Sequence, residues 1–231
     1  MSTLVTMLNE VLGEPGFLER TSFADSPDPD DKQMVYIANR VVEDIRSFYD
    51  WSLLAKTHHV TIVGGQDRYP LPEDYYSVVS DSAWETNGSR KCDFPVPRNR
   101  WFMYKFSSLS DAGTIRARLY GDEIELHEPS VSTGFDLEYI TRYLVEDTSG
   151  KPKAKFNNDT DVFILEDDLL IKGVLARWAR TKMMPQADAW KRDYDNEMTY
   201  QVGRDNSGQT IGGTGPRVDR RSPYYPLWRN S

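Results

Sequence analysis

The stretch His58-His59-Val60-Thr61-Ile62-Val63-Gly64-Gly65-Gln66-Asp67-Arg68-Tyr69-Pro70-Leu71-Pro72-Glu73-Asp74-Tyr75-Tyr76 decides how the chain is read. Val60 and Ile62 alternate with polar neighbours at the period of a half-buried strand, and Gly64-Gly65 supplies a tight turn. Tyr69 and Leu71 open a second strand, which Pro70 and Pro72 confine to an edge or an end. The pattern predicts a β-hairpin leaving a helix, where a helical layer hands over to a β-rich insertion.

Upstream, Leu4, Leu8, Val11 and Leu12 share one face, so residues 3 to 12 are predicted as a short amphipathic helix capped by Ser2 or Thr3 and ended by Gly13 and Pro15. An acidic connector, Asp25 to Asp31, is expected as a solvated loop that leads into a second helix starting near Asp30. Met34, Ile37, Ala38, Val41, Ile45, Phe48 and Tyr49 then recur at spacings of three and four and define its buried stripe.

Downstream, 77–80, 114–120, 122–127 and 135–143 alternate apolar and polar residues, with Gly121 joining two of them in a hairpin. Asn99 to Ser107 reads as a short bridging helix, with strand as the alternative. From Asp161 the helical period returns. Glu166-Asp167-Asp168 open a helix with Leu170, Ile171, Val174, Leu175 and Trp178 buried, ending near Met184-Pro185, and Ala187, Trp190, Tyr194 and Met198 lie on another. The fold class is therefore α+β: an α-helical bundle from N- and C-terminal segments, an inserted antiparallel β domain and an extended C-terminal arm. The expected bounds are 1–56 with 161–206 for the bundle, 57–160 for the insertion and 207–231 for the arm.

A chain of 231 residues with 39% hydrophobic content can bury a real core. One cysteine, Cys92, excludes an intramolecular disulfide framework and a multi-cysteine zinc site, and is read as a spectator thiol in a reducing compartment. No apolar run reaches the ~18 residues of a membrane span and no signal-peptide layout opens the chain, so no membrane association is expected. The Asn87-Gly88-Ser89 and Asn158-Asp159-Thr160 sequons are then coincidental. A net charge of -8 argues against holding nucleic acid over the whole surface, while an acidic wall lets a duplex slide past.

Chemistry-bearing patterns are sparse. His58 and His59 are adjacent on a predicted strand, so they face opposite ways and cannot chelate one ion together. Gly212-Gly213-Thr214-Gly215 lacks the lysine and the preceding strand of a phosphate loop and reads as a hinge. The pairs Glu123/Glu125 and Asp167/Asp168 are acid–base candidates in principle. A solvated strand face and a helix start explain them more simply, as core packing explains Trp101, Phe102, Tyr104 and Phe106. No catalytic residue, cofactor or metal site is expected, and the chain reads as an assembly component and not an enzyme.

The tail beyond Asn206 cannot bury enough surface alone to offset its ordering entropy. It nevertheless carries Arg217, Arg220, Arg221, Tyr224, Tyr225, Leu227, Trp228 and Arg229, the residue types that anchor interfaces.

The order of elements, with Phe48-Tyr49-Asp50-Trp51 closing the long helix and the run Tyr69-Pro70-Leu71-Pro72-Glu73-Asp74-Tyr75 after the first strand, resembles the head-to-tail adaptor (connector) proteins of tailed bacteriophages, the tail tubular protein A group. The resemblance covers residues 1 to about 205. It implies a structural virion protein made in the host cytoplasm and assembling as a dodecameric homo-oligomeric ring beneath the portal protein. A tail nozzle or tail tube protein would follow below, with genomic DNA passing transiently through the channel and the arm docking on the portal or a neighbour. Two other readings remain: a tail-associated carbohydrate-binding module or glycosidase, and a cytoplasmic regulatory protein with a disordered arm.

Overall fold

The computed structural model describes residues 2–86, 90–106, 114–127 and 134–207. In chain order its first elements are α1 (Leu4–Gly13), α2 (Pro29–Phe48), a 3-10 turn (Ser52–Leu54), β1 (Ala55–Val60), β2 (Arg68–Pro70), β3 (Tyr75–Val78), β4 (Trp84–Glu85) and α3 (Arg98–Phe106). Then come β5 (Arg116–Tyr120), β6 (Glu123–His127), β7 (Phe135–Thr141), β8 (Val145–Glu146), β9 (Pro152–Lys153), β10 (Val162–Phe163), α4 (Asp167–Thr181) and α5 (Ala187–Ser207). The class is α+β with an antiparallel β insertion. The chain packs into two compact units, one of residues up to Ser52 together with those from Tyr143 onward, the other Leu53–Arg142. These divisions fall at 52/53 and 142/143, where periodicity places the limits of the insertion at 57 and 160. Residues 143–163 form the small antiparallel sheet β10-β8-β9, which stands with the helices.

In the helical unit, α1 has a Thr3 N-cap whose side chain makes no capping bond. The exposed first N–H groups of a helix need acceptors, and here they come from a distant turn: Leu4 N–H donates to the Asp161 carbonyl at 2.8 Å and Val5 N–H to that of Asp159 at 3.1 Å. The Asp159 carboxylate accepts from Ser22 Oγ (2.5 Å) and from the backbone of Phe23 and Ala24 (2.9 and 3.0 Å). Asp161, wholly buried, accepts from Lys153 Nζ (2.7 Å) and from the N–H groups of Asn157 and Asn158 (2.8 and 2.9 Å). Just before this turn, the Asn39 amide of α2 makes a two-way bond with the Phe156 backbone.

Asp28 caps α2 by accepting from Asp30 N–H at 2.9 Å, with Pro29 in the first helical position. The stripe Met34, Ile37, Ala38, Val41 and Ile45 is buried as predicted, with Val42 added, whereas Phe48 at the helix end is exposed. Asp31 departs from the expected solvated loop. It is buried, accepts from Ser26 Oγ at 2.6 Å and lies 3.4 Å from Arg20 Nε. Helix α4 is the centre of the unit and packs on α1, α2 and α5. Gly173 makes the crossings close: a Cβ there would lie 2.5 Å from Val41 Cγ1 and 2.9 Å from Tyr194 Cε2.

The second unit holds the sheet β1-β7-β3, with β4 also paired to β7, and the sheet β2-β6-β5. The hairpin predicted from the opening stretch does not form. β1 pairs with β7 over the register Ala55↔Ile140 to Val60↔Phe135, and β2 pairs with β6 in the other sheet. Six paired positions on β7 offer more ladder bonds than the three-residue β2 can supply. Gly65, with φ +85°, therefore turns the chain from one sheet to the other. Several expectations hold: β2 is an edge strand, Gly121 (φ +61°) joins β5 to β6, and residues 98–106 are helical. Val60, Ile62, Tyr69, Phe94, Ile124, Phe135 and Leu137 belong to one shared core.

Two measurements follow. Gly173→Ala gains about 1 kcal/mol of helix propensity but drives a methyl into Val41 and Tyr194, so thermal melts should show a net loss of about 1–2 kcal/mol. Adding Val41→Ala should recover part of that loss. For Asp161, burial disfavours the ionised form, but Lys153 and the two N–H donors outweigh it and hold the carboxyl below its usual 3.8; Asp159 is likewise held low by Ser22, Ala24 and Phe23. A carboxyl depressed in the folded state contributes its stability above the unfolded value and loses it as pH falls through the folded value. Asp161→Asn should therefore lower stability by about 3–5 kcal/mol at neutral pH and flatten the fall in stability below about pH 4.

Candidate functional site

The run Tyr69 to Tyr75, which carries the family resemblance, is a brace within the β unit. Buried Tyr69 uses its hydroxyl to hold the preceding loop: it accepts from Val63 N–H at 2.8 Å and donates toward the Gln66 and Val63 carbonyls at 3.1 and 3.3 Å. Leu71 N–H reaches the Asp122 carbonyl (3.0 Å), and Pro72 accepts from Tyr75 N–H to close the turn. Asp74 collects three donors, Lys56 Nζ (2.7 Å), Tyr139 Oη (2.8 Å) and Thr141 Oγ1 (2.8 Å), tying β1 and β7 to the entry of β3. Burial raises the carboxyl and these donors lower it by more, so Asp74 stays ionised. Burial and the Asp74 charge together push the Tyr139 phenol well above its ordinary 10.0.

Helix α3 lays aromatic rings over the arginines of β5. Arg118 sits 4.6 Å from the Trp101 ring and Arg116 4.4 Å from the Tyr104 ring, while Tyr104 stacks with His127 at 6.3 Å. Such cation–π contacts join apolar and charged surface without a free ion. Trp101 is buried as expected, but Phe102 is exposed, and the Phe106 side chain lies outside the described residues. Glu125 corrects the sequence reading: it is no solvated strand carboxylate but is buried against Arg118, at 2.5 Å from its terminal nitrogen and 2.6 Å from Nε. Glu123, two residues away, is half-exposed beside Arg68 at 3.7 Å.

In the helical unit, α1, α4 and α5 enclose an open cleft of about 510 Å³. Leu175, Ile171 and Trp190 give it an apolar floor, and Glu10, Glu14 and Asp193 form an acidic rim. Lys172 Nζ is held by Glu197 Oε2 at 2.5 Å, which raises the ammonium and lowers the carboxyl. At the start of α4, Glu166 is the N-cap residue, Asp167 and Asp168 lie in the first turn, and Asp167 accepts from Ser2 N–H at 2.9 Å. The helix-end reading of this acidic triplet therefore fits its placement.

Burial, with Glu85 and Asp136 nearby, pushes the Cys92 thiol up to about 12, so it is a protonated core residue at neutral pH. Among the described residues no three His, Cys, Asp or Glu groups are placed to hold a metal ion, and no helix is long and apolar enough to cross a membrane. Arg217, Arg220, Arg221, Tyr224, Tyr225, Leu227, Trp228 and Arg229 lie outside the described residues, as does Asn87-Gly88-Ser89. Sequence reasoning missed Asp159 and Asp161. Their signal was the Asn157-Asn158-Asp159-Thr160-Asp161 run itself, whose short polar side chains favour backbone-bonded turns.

Asp74→Ala should destabilise the β unit by about 2–3 kcal/mol, because three donors lose one acceptor. It should also lower the pH at which Tyr139 titrates, since the negative charge that opposes its ionisation is gone. Alkaline titration of tyrosine absorbance, compared with a Tyr139→Phe control, reads that shift.

A family model described as SU10 adaptor protein matches residues 2–217. A comparison with curated proteins found no match. The family match runs over nearly the whole chain, through both the helical bundle and the inserted sheets, and the chain belongs to the SU10 adaptor protein family, a family of phage adaptor proteins.

Proposed function

We propose that this phage adaptor protein is a head-to-tail adaptor of the tail tubular protein A type. Its copies close into a ring, dodecameric by that resemblance, beneath the portal protein, and the ring passes the junction on to a tail nozzle or tube and surrounds the DNA channel. The observation that carries the reading is the adaptor-family match across residues 2–217. Physical considerations support it. A closed ring needs heterologous side-by-side contacts and a separate surface for the next component, and the chain offers helices, a sheet unit and an arm to divide between those tasks. A net charge of -8 disfavours adhesion of a passing duplex. In this reading the arm, through Arg217, Arg220, Arg221, Tyr224, Tyr225, Leu227, Trp228 and Arg229, docks on the portal or a neighbouring copy, with aromatic anchors in pockets and arginines against acidic groups.

Like-charged copies repel, so the purified chain should be largely monomeric by mass photometry at low concentration and moderate salt and form a large discrete species only with portal present. Truncation after Ser207, the last residue of α5, should leave circular dichroism and the thermal melt unchanged while abolishing joining to the portal. A truncated chain that still joins with unchanged affinity would show that the arm has no docking role.

A further inference from the structure

We propose that the cleft between α1, α4 and α5 is the receptor for the C-terminal segment Arg217–Arg229 of a neighbouring copy. The inference rests on the adaptor reading and specifies which surface the arm meets. Two features of the cleft match the segment. Its floor carries a half-buried indole, Trp190, beside buried Leu175, with the exposed ring of Tyr200 along the same helix. Tyr224, Tyr225, Leu227 and Trp228 are anchors of the kind such a floor receives. Its rim carries Glu10, Glu14 and Asp193, which form no ion pair among the described residues; Lys172, the cation of the lining, feels the Asp193 charge but is bonded to Glu197, so the cleft keeps a net negative charge. Arg217, Arg220, Arg221 and Arg229 bring the opposite charge. Acidic rim and basic segment steer one to the other and discriminate against the acidic remainder of the chain.

Chain length allows the exchange. Tyr200 of the cleft lies seven residues before the end of α5, roughly 10 Å along the helix. Residues 208–216, including Gly208, Gly212, Gly213 and Gly215, span at most about 30 Å when extended. Cleft and segment are unlike surfaces on one chain, which is the heterologous complementarity that propagates around a ring. A cleft and arm that each engage weakly also give the expected behaviour of a free monomer, because closure of the ring multiplies single contacts that are individually inadequate.

The test is fluorescence anisotropy of a labelled synthetic peptide of residues 214–231 titrated with the full-length chain. It is repeated with a full-length Trp228→Ala variant, whose own arm competes less. The proposal expects saturable binding that weakens severalfold between 50 and 300 mM salt. Binding should drop by about tenfold or more in Glu10→Lys/Asp193→Lys and be lost in Trp190→Ala, with circular dichroism confirming that each variant is folded. Glu123→Lys, on the other unit, should leave binding unchanged. Absence of binding to both the wild type and Trp228→Ala, or binding indifferent to the rim charges, overturns the proposal. So does tight, concentration-independent protection of the intact arm in a monomer, which would place the segment in its own chain's cleft. Portal-dependent assembly measured on the same Glu10→Lys/Asp193→Lys variant separates the two readings. Rings that form normally while the peptide fails to bind refute the cleft and leave the adaptor role standing; failure of the wild type to join a portal refutes the adaptor role itself.

Discussion

The helical unit depends on the turn from Asn157 to Asp161. Helix α1 is ten residues long, too short to be stable by itself in water, and the side chain of its cap residue, Thr3, bonds the Thr6 hydroxyl and caps no backbone N–H. What holds it is the pair of carbonyls at Asp159 and Asp161, which take its first two N–H groups, while the Asp159 carboxylate fixes the Ser22–Ala24 connector and the Asp161 carboxylate fixes Lys153. Leu4, Met7, Leu8 and Val11 are fully buried in consequence. A buried carboxylate is tolerated only when its lone pairs are occupied, and Asp161 meets that condition with an ammonium and two backbone donors. The same turn sets where Glu10 and Glu14 stand, since Glu10 lies on the helix it anchors and Glu14 is that helix's C-cap residue, its N–H bonded to the Glu10 carbonyl.

Gly173 supplies the complementary constraint from the other side of the unit. By leaving no Cβ, it lets α4 approach Val41 of α2 and Tyr194 of α5 at distances that any larger residue would push apart. Turn and crossing together give α1, α4 and α5 the fixed spacing that leaves a cleft with an apolar floor. A rigid receptor of this kind loses little entropy on binding, which leaves the ordering of the incoming segment as the main opposing term.

Where local pattern and tertiary structure agree, the sequence was legible. The stripe of α2 and the buried face of α4 were visible in their period, as was the β5–β6 hairpin at Gly121, because each is decided by neighbours within a few turns or strands. The predicted hairpin at Gly64-Gly65 failed because the glycines specify a turn but not the partner of the strand before it, and that partner, β7, lies about eighty residues away. Strands β8, β9 and β10 are two residues each and carry no period to read. Glu125 and Asp31 looked like ordinary surface acids, and only the placement of Arg118, and of Ser26 with Arg20, explains their burial. The cleft was invisible for the same reason: Glu10 and Asp193 are neighbours only in the folded chain.

The adaptor account makes this chain one of many copies with two unlike contact surfaces and an acidic exterior, requiring neither a nucleophile nor a bound metal. Its central claim is ring formation on a portal. Electron microscopy of the full-length chain incubated with its cognate portal tests that claim most directly. The account predicts a closed ring of adaptor density stacked coaxially on one end of the portal, with the channel open through both. Portal particles with bare ends at saturating concentrations of folded chain would contradict it.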